Sequence, residues 1–372
     1  MTKQDASASK IFRKCSPAKK SKICQAFTAS TKILMKCSRT AEAIRLTRQL
    51  RKTHYKLWKT EIKTSQTSLS TLKDYVRISV KSVRKVKNGV LYSVVIDSYR
   101  LADGTFKTEE ILVAENVASI DLLCWTHPDL DHTKGIDDLL NKYCNKYSKV
   151  LIPTYLNGRP DDPINYNKGD VEIIHKIFGL NNRFNKVVKP IGVSSATISK
   201  IQTVTFSDEL NEIETEFYVA APHTDYIVEN IISGTTIHKN HLSICLMIKV
   251  GPYKFTFCGD IEERTINNIN TSIFDNPLFL KIPHHASSGS ENLLKYLQIT
   301  KQSMSCTTTF LSKGLPNEEL LKKYKEQYQY CHSTGPNTTG DSEDNYGILK
   351  YECDLFGKQE VRITCEGHAH KV

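Results

Sequence analysis

Three apolar runs in this sequence each deliver histidine or aspartate at their C-terminal end, and that repetition limits the folds open to the chain. Ile120-Asp121-Leu122-Leu123-Cys124-Trp125 leads into Thr126-His127-Pro128-Asp129-Leu130-Asp131-His132. Phe255-Thr256-Phe257-Cys258 leads into Gly259-Asp260, and Leu278-Phe279-Leu280-Lys281-Ile282 leads into Pro283-His284-His285. Short apolar runs closed by Gly or Pro read as buried strands. In layered α/β folds, functional side chains gather at the C-terminal ends of strands. A single cluster of this kind is compatible with a solvated turn, but three in the same relation to a strand point to one shared centre. Within the first turn, His127 and Asp129 can face one side while Asp131 and His132 face another, an arrangement that suits two metal ions.

The remaining order supports an α/β sheet. Residues 75–80 alternate with period two, and 90–96 follow an Asn88-Gly89 turn, so a β-hairpin is expected. A strand is expected at 110–113. Ile136, Leu139, Leu140, Tyr143 and Tyr147 follow helical spacing and lead into a strand at 150–152. Val171, Ile174, Ile177 and Phe178 mark a helix that stops at Gly179. Further strands are expected at 216–221, 242–250, 254–258, 278–282, 347–351 and 360–364, with a helix at 317–329. Strand, metal turn, helix, strand is the succession a layered sheet requires.

Charge divides the chain. Residues 1–60 hold sixteen Lys and Arg against Asp5 and Glu42, a local net of +14; the whole chain carries +11, leaving −3 for residues 61–372. Residues 1–38 are rich in Lys, Ser, Thr and Ala, a composition expected to lack fixed structure. From Thr40, a candidate N-cap, Leu46, Leu50 and Leu57 share one helical arc, and Arg45, Arg48, Lys52, Lys56 and Lys59 share another. That basic amphipathic helix could contact nucleic-acid phosphates, an anionic membrane surface or a protein partner. An organellar targeting segment and a merely solvated face are the other readings. The Ser/Thr-rich residues 65–70 read as a linker, which divides the chain into a basic extension, 1–70, and a catalytic domain, 71–372.

No run approaches the ~18–20 apolar residues of a membrane span. Eleven cysteines, an odd number without a Cys-x-x-Cys pair, and no leading apolar segment suggest reduced thiols in a cytoplasmic protein. Cys124, Cys245 and Cys258 fall in expected strands and read as small buried hydrophobes.

The succession His-x-Asp-x-Asp-His (127–132), Asn-x-x-Ser (240–243), Gly-Asp (259–260) and Lys-x-Pro-His-His (281–285) resembles the ComEC-type branch of the metallo-β-lactamase superfamily. The resemblance runs from about Tyr75 to about Ile363. Asp129 stands where the commoner motif has a second histidine, a feature this branch shares. The branch's Gly-Gln-Gly-Asp turn is absent, and Ala286 replaces the usual Gly after His-His. The resemblance implies a four-layer αβ/βα sandwich, with His127 and Asp129 on one metal, Asp131, His132 and His285 on a second, and Asp260 bridging. His284 would face the substrate. A third histidine on the first metal would be His241 or His223.

Imidazole and carboxylate donors suit Zn²⁺, Mn²⁺ or Fe, and the harder Asp129 oxygen tilts the set toward Mn²⁺. Two such ions sharing a water are the machinery of phosphodiester hydrolysis, with Asp131 to orient the water and His284 to protonate the leaving group. The expected function is therefore a dinuclear phosphodiesterase or nuclease, its basic extension holding nucleic acid. One rival is a small-molecule hydrolase acting on a cyclic nucleotide, phosphoester or lactone, with the extension serving a protein partner. Another is a non-catalytic sensor or binding subunit.

Overall fold

The computed structural model describes residues 64–372, apart from 73–74, 84–88, 102–103, 157–163, 165, 167, 179–189, 208–211, 311–312, 336–346 and 355–360. The expected helix from Thr40, with Arg45, Arg48, Lys52, Lys56 and Lys59, lies outside the described residues, as does most of the turn before Gly89. The described residues belong to one compact unit, Lys63–Val372.

Strands are numbered in chain order. One eight-stranded sheet contains β1 (Thr64–Leu72), β2 (Tyr75–Val83), β3 (Gly89–Ile96), β4 (Leu122–Cys124), β5 (Lys149–Pro153), β6 (Pro190–Val193), β14 (Gly347–Asp354) and β15 (Val361–Gly367), in the order β15-β14-β1-β2-β3-β4-β5-β6. The other contains β7 (Ser199–Ser207), β8 (Glu212–Ala221), β9 (Cys245–Val250), β10 (Tyr253–Phe257), β11 (Phe279–Lys281), β12 (Met304–Thr307), β13 (Tyr330–Ser333) and β16 (His370–Lys371), in the order β16-β13-β12-β11-β10-β9-β8-β7.

Period-two alternation explains how these short strands are buried on both faces. Val94, Ile96, Leu122 and Cys124 pack between the sheets against Phe217, Leu246, Ile248, Phe255, Phe257 and Phe279. Their neighbours Val95, Leu123 and Trp125 point the other way, under helices α1 (Lys107–Ala114), α3 (Ile136–Tyr143), α4 (Lys168–Phe178) and α5 (Thr224–Ser233). On the far side, Cys245, Met247 and Leu280 lie under α6 (Glu263–Ile266) and α7 (Glu318–Gln327). The result is a four-layer α/β/β/α order. Truncating a side chain as enclosed as Trp125 to Ala would cost about 3–5 kcal/mol.

The direction of the central strands places the site. β3, β4 and β5 run parallel, and so do β10, β11 and β12. The C-terminal ends of β3 and β4 carry Asp97 and the 126–132 turn; those of β10, β11 and β12 carry Asp260, His284-His285 and Thr308.

Three sequence expectations give way here. Residues 65–70, read as a linker, lie in β1, paired antiparallel with both β2 and β14. Thr67 among them, with Thr64 and Thr71 at either side, is β-branched and suits a strand as readily as a loop. Residues 110–113, expected as a strand, lie in α1. Thr108 and Leu112, four apart, are fully buried while Val113 is 63% exposed, which is helical rather than alternating order. Tyr147 falls beyond the end of α3 and is exposed, because Cys144 already has extended backbone.

Candidate metal centre

Thr126 and His127 follow β4 after Trp125, and the turn then enters the short helix α2 (Leu130–Thr133) with Asp129 at its N-cap. Across the interface between the sheets, Gly259 takes a positive φ of +53°, and a Cβ there would overlap Ser243 Oγ, so only glycine lets the chain bring Asp260 into the centre. His284, His285 and Ala286 form three consecutive left-handed residues at φ +45°, +51° and +56°. Such backbone costs about 1–3 kcal/mol per non-glycine residue and clusters at functional sites.

Two donor groups converge. Ligand atoms of His127, His132 and Asp260 lie within 4.8 Å of one another, and so do those of Asp131, His132 and His285. His132 Nε2 is 3.4 Å from Asp260 Oδ2 and 3.8 Å from Asp131 Oδ2. His285 Nε2 is 3.3 Å from Asp131 Oδ2 and 3.8 Å from Asp260 Oδ2. Asp129 sits at the rim, its Oδ2 3.6 Å from His127 Nε2 and its Oδ1 ion-paired with Lys239. His284 is also at the rim, with Nε2 4.0 Å from Asp260 Oδ2.

Each converging imidazole is held through its outer nitrogen. His132 Nδ1 donates to Asp97 Oδ2 at 2.7 Å, and the same carboxylate accepts from the Thr126 N–H and hydroxyl, both at 2.6 Å. His127 Nδ1 meets Thr126 Oγ1 at 3.1 Å and Ser243 Oγ at 3.4 Å. His285 Nδ1 meets Thr308 Oγ1 at 3.0 Å. Ser243 Oγ also accepts the Asp260 N–H at 2.7 Å. These contacts hold each ring by Nδ1 and turn each Nε2 inward; with a metal bound, the proton would stay on Nδ1 and the Nε2 lone pair would face the ion, the disposition that metal-binding histidines require.

The charges fit a cation. Burial alone would lower the His132 pKa, yet Asp260, Asp97 and Asp131 together hold it well above its ordinary value. Burial likewise works to raise Asp260, but His132, His285 and His127 hold it far below the carboxylate range. Asp131 is brought down to about 2 against burial by His132 and His285, with Asp260 opposing. An imidazolium is thus drawn into a nest of carboxylates, which is the place a divalent ion would take. Nε2 of His127 and of His132 are buried without a well-formed hydrogen bond, as is Asp260 Oδ1. Orphaned polar atoms of this kind are costly unless they bind something.

Neither candidate third histidine joins these groups. His241 turns away, with Nδ1 3.3 Å from Thr265 Oγ1 and its ring edge-on to Tyr226. His223 is the N-cap residue of α5. The flanking Asn240 and Ser243 reach the centre instead: Asn240 Nδ2 lies 3.4 Å from His284 Nε2, and Ser243 braces His127 and Asp260. Asp97 escaped sequence reading altogether. Its signal was present, since Val94-Val95-Ile96-Asp97 is a fourth apolar run ending in an acidic residue.

His284 is oriented by Glu262 Oε1, 2.7 Å from Nδ1, and by Ser287 Oγ at 2.9 Å. Burial opposes protonation of His284, but Glu262 and then Asp260 raise its pKa; reciprocally, His284 outweighs burial and lowers that of Glu262. Glu262 also lines an open cleft of about 520 Å³ together with His241, Arg264, Asn267 and Asn268. Arg264 stacks over Tyr226 there, 4.3 Å from the ring centre. Cys124 and Cys258 are fully enclosed, and burial pushes both thiols well up, away from the reactive thiolate form.

No family model matches this sequence, and no curated protein matches it. Among solved structures, it is similar to a long form RNase Z from yeast, at 13% identity and a TM-score of 0.35, over 72% of this chain and 34% of that one. It is also similar to Zn²⁺-bound PqqB from Methylobacterium extorquens, at 11% identity and a TM-score of 0.27, over 55% of this chain and 58% of that one. The chain therefore spans about a third of the first protein and just over half of the second.

Proposed function

We propose that this chain is a metal-dependent hydrolase of the metallo-β-lactamase type, with the ComEC-like first motif, acting on phosphodiester bonds of nucleic acid. The observation that carries this reading is the convergence of His127, His132 and His285 with Asp131 and Asp260, each imidazole fixed from behind so that Nε2 faces inward. His127 and Asp129 would hold one divalent ion, Asp131, His132 and His285 another, and Asp260 would serve both; Zn²⁺ and Mn²⁺ match the donors. Such a pair supplies Lewis-acid polarisation of a phosphoryl oxygen and a water acidified toward neutrality.

The chain's own groups supply the rest. Asp131, at the solvent side of the deep donors, orients the attacking water and accepts its proton. Glu262 holds Nδ1 of His284, leaving Nε2 to give a proton to the departing oxygen. The open cleft beside Glu262 leaves room for the rest of the substrate, and the +14 segment of residues 1–60 attracts its phosphates. The −3 charge of residues 61–372 and the acidic Glu262 and Glu263 in that cleft favour a second reading, a small phosphoester or lactone.

Activity of the metal-reconstituted protein on single-stranded DNA, duplex DNA, RNA and bis-p-nitrophenyl phosphate, with and without residues 1–60, separates the two. For a single-stranded substrate held by six basic residues of the segment, log K should fall against log[salt] with a slope of roughly −4, at ~0.7 per contact. Truncation should flatten that slope and raise KM for the polymer while sparing the small diester. Equal cleavage and an equal salt slope after truncation favour the small-molecule reading.

A further inference from the structure

Lys239 opens the short 3₁₀ turn Lys239–Leu242, ahead of the Ser243 that braces the centre. Its ammonium is ion-paired with Asp129 Oδ1 and, at 3.0 Å, with Asp170 Oδ2, and it also points at the Pro128 carbonyl at 3.4 Å. Only 14% of the Lys239 side chain is exposed, and Asp170 on α4 is fully buried. The arrangement is built into three elements of the fold rather than draped over its surface. It leaves Asp129 with one oxygen toward His127 and the other engaged by a fixed positive charge. Among the described residues, no Lys or Arg forms an ion pair with Asp131 or Asp260.

We infer that Lys239, balanced by buried Asp170, is an internal cation that weakens the metal position served by His127 and Asp129, so that the two positions fill unequally. This inference rests on the metal-centre reading above. An ammonium that shares a carboxylate with a divalent ion competes for the same lone pairs and repels the ion through a partly dehydrated medium, where charges act strongly. The position formed by Asp131, His132 and His285, with Asp260, meets no such competitor and fills first. Asp170 moderates the effect, because it takes part of the ammonium's charge away from Asp129. The sequence hides this control, since Lys239 and Asp170 are far apart along the chain.

Two substitutions push the weak position in opposite directions, which a merely structural role cannot do. Lys239→Met removes the competitor and leaves Asp129 and Asp170 as two negative groups, so the weak position should tighten on the order of tenfold. Asp170→Asn leaves the ammonium to Asp129 alone, so the weak position should loosen by a similar factor. Lys239→Arg keeps the charge and should behave like the parent. The measurement is a calorimetric titration of metal-free, full-length protein with Mn²⁺, cross-checked by the electron paramagnetic resonance signal of free Mn²⁺. One tight and one weaker event in the parent, with the tight event unchanged in all three variants, is the expected result. Two equal affinities in the parent, or both charge variants shifting the weak event the same way, would overturn the inference while leaving the metal centre intact. Binding of no ion at all would remove the metal centre and the inference with it. Should Lys239→Met not fold, the direction of the Asp170→Asn shift decides alone.

Discussion

His132 and His285 lie almost sealed from solvent and are held from behind by Asp97 and by the Thr308 hydroxyl, whereas Asp129 and His284 sit at the rim, 32% and 22% exposed, and are held by Lys239 and Glu262. The deep supports fix direction: a buried hydrogen bond has one good geometry, and losing it strands a polar atom away from water. The rim supports act mainly through charge, strongly at the largely enclosed Lys239 and with more screening by solvent at Glu262, which is 25% exposed. Retention of metal should therefore depend on the deep set, and tuning of affinity and proton transfer on the rim. That division explains why His284 and His285, adjacent in sequence, have different surroundings. His285 is 1% exposed against Phe310 and Thr308, while His284 is 22% exposed and paired with Glu262, which itself lines the open cleft.

The most severe test of the division is Asp260→Ala. Asp260 belongs to the group of His127 and His132 and lies 3.8 Å from His285 of the other, so its loss takes a carboxylate out of one group and from beside the second. Elemental analysis should find about two divalent ions per chain in the parent and at most one in the variant, with activity lost. Full metal content in Asp260→Ala would take Asp260 out of the centre and undo the deep set as described. His284→Ala gives the contrast at the rim: metal content should persist while the rate falls ~10²-fold. Metal loss in His284→Ala would erase the distinction between deep and rim.

A finer cut comes from Asp97→Asn, which keeps the shape of the support behind His132 but alters its chemistry. One Asp97 oxygen accepts from His132 Nδ1 and from Thr126, and the other accepts the Thr126 N–H. An amide in its place offers one acceptor fewer and sets a donor against a donor. Metal affinity should fall about 10- to 100-fold, the usual consequence of losing the group behind a ligating imidazole. Unchanged affinity would mean that His132 is oriented by its packing alone.

Legibility in the sequence follows the same division. His127, Asp129, Asp131, His132, Asp260, His284 and His285 stood out because each follows an apolar strand and is marked by a neighbouring Pro or Gly. The supports did not stand out. Asp97 is a lone carboxylate after Val95-Ile96, Ser243 and Thr308 are ordinary hydroxyls, and His241 drew attention that belonged to Asn240 and Ser243 on either side. The Lys239–Asp170 pair is created by the docking of α4, which no local pattern encodes. In the fold, the central strands and α3, α4 and α7 were readable from periodicity. β1 was hidden because its pairing with β14 is decided by residues far away in sequence. α1 was hidden because Ile111-Leu112-Val113 is a run of three large apolar residues, too short to tell one period from the other.

The smallest effect is expected at Ala286, the residue that follows His285. Ala286 is fully buried and adopts φ +56°, at the end of the left-handed run that begins at His284. A left-handed conformation costs an alanine about 1–2 kcal/mol, so Ala286→Gly should relieve strain. Two opposing effects nearly cancel that gain. Glycine adds freedom to the unfolded chain, worth about 0.4–1 kcal/mol, and the lost methyl gives up roughly 0.8 kcal/mol of burial. The net change in stability should lie within about 1 kcal/mol of zero, with metal content unaltered, as measured by denaturant unfolding beside elemental analysis. A loss well above that, with metal retained, would show that the Ala286 methyl is a packing element of the layer that holds Ile282 and Leu293 rather than a tolerated strain. Loss of metal would instead show that the strained turn itself aims His285, which would move Ala286 from the scaffold into the deep set.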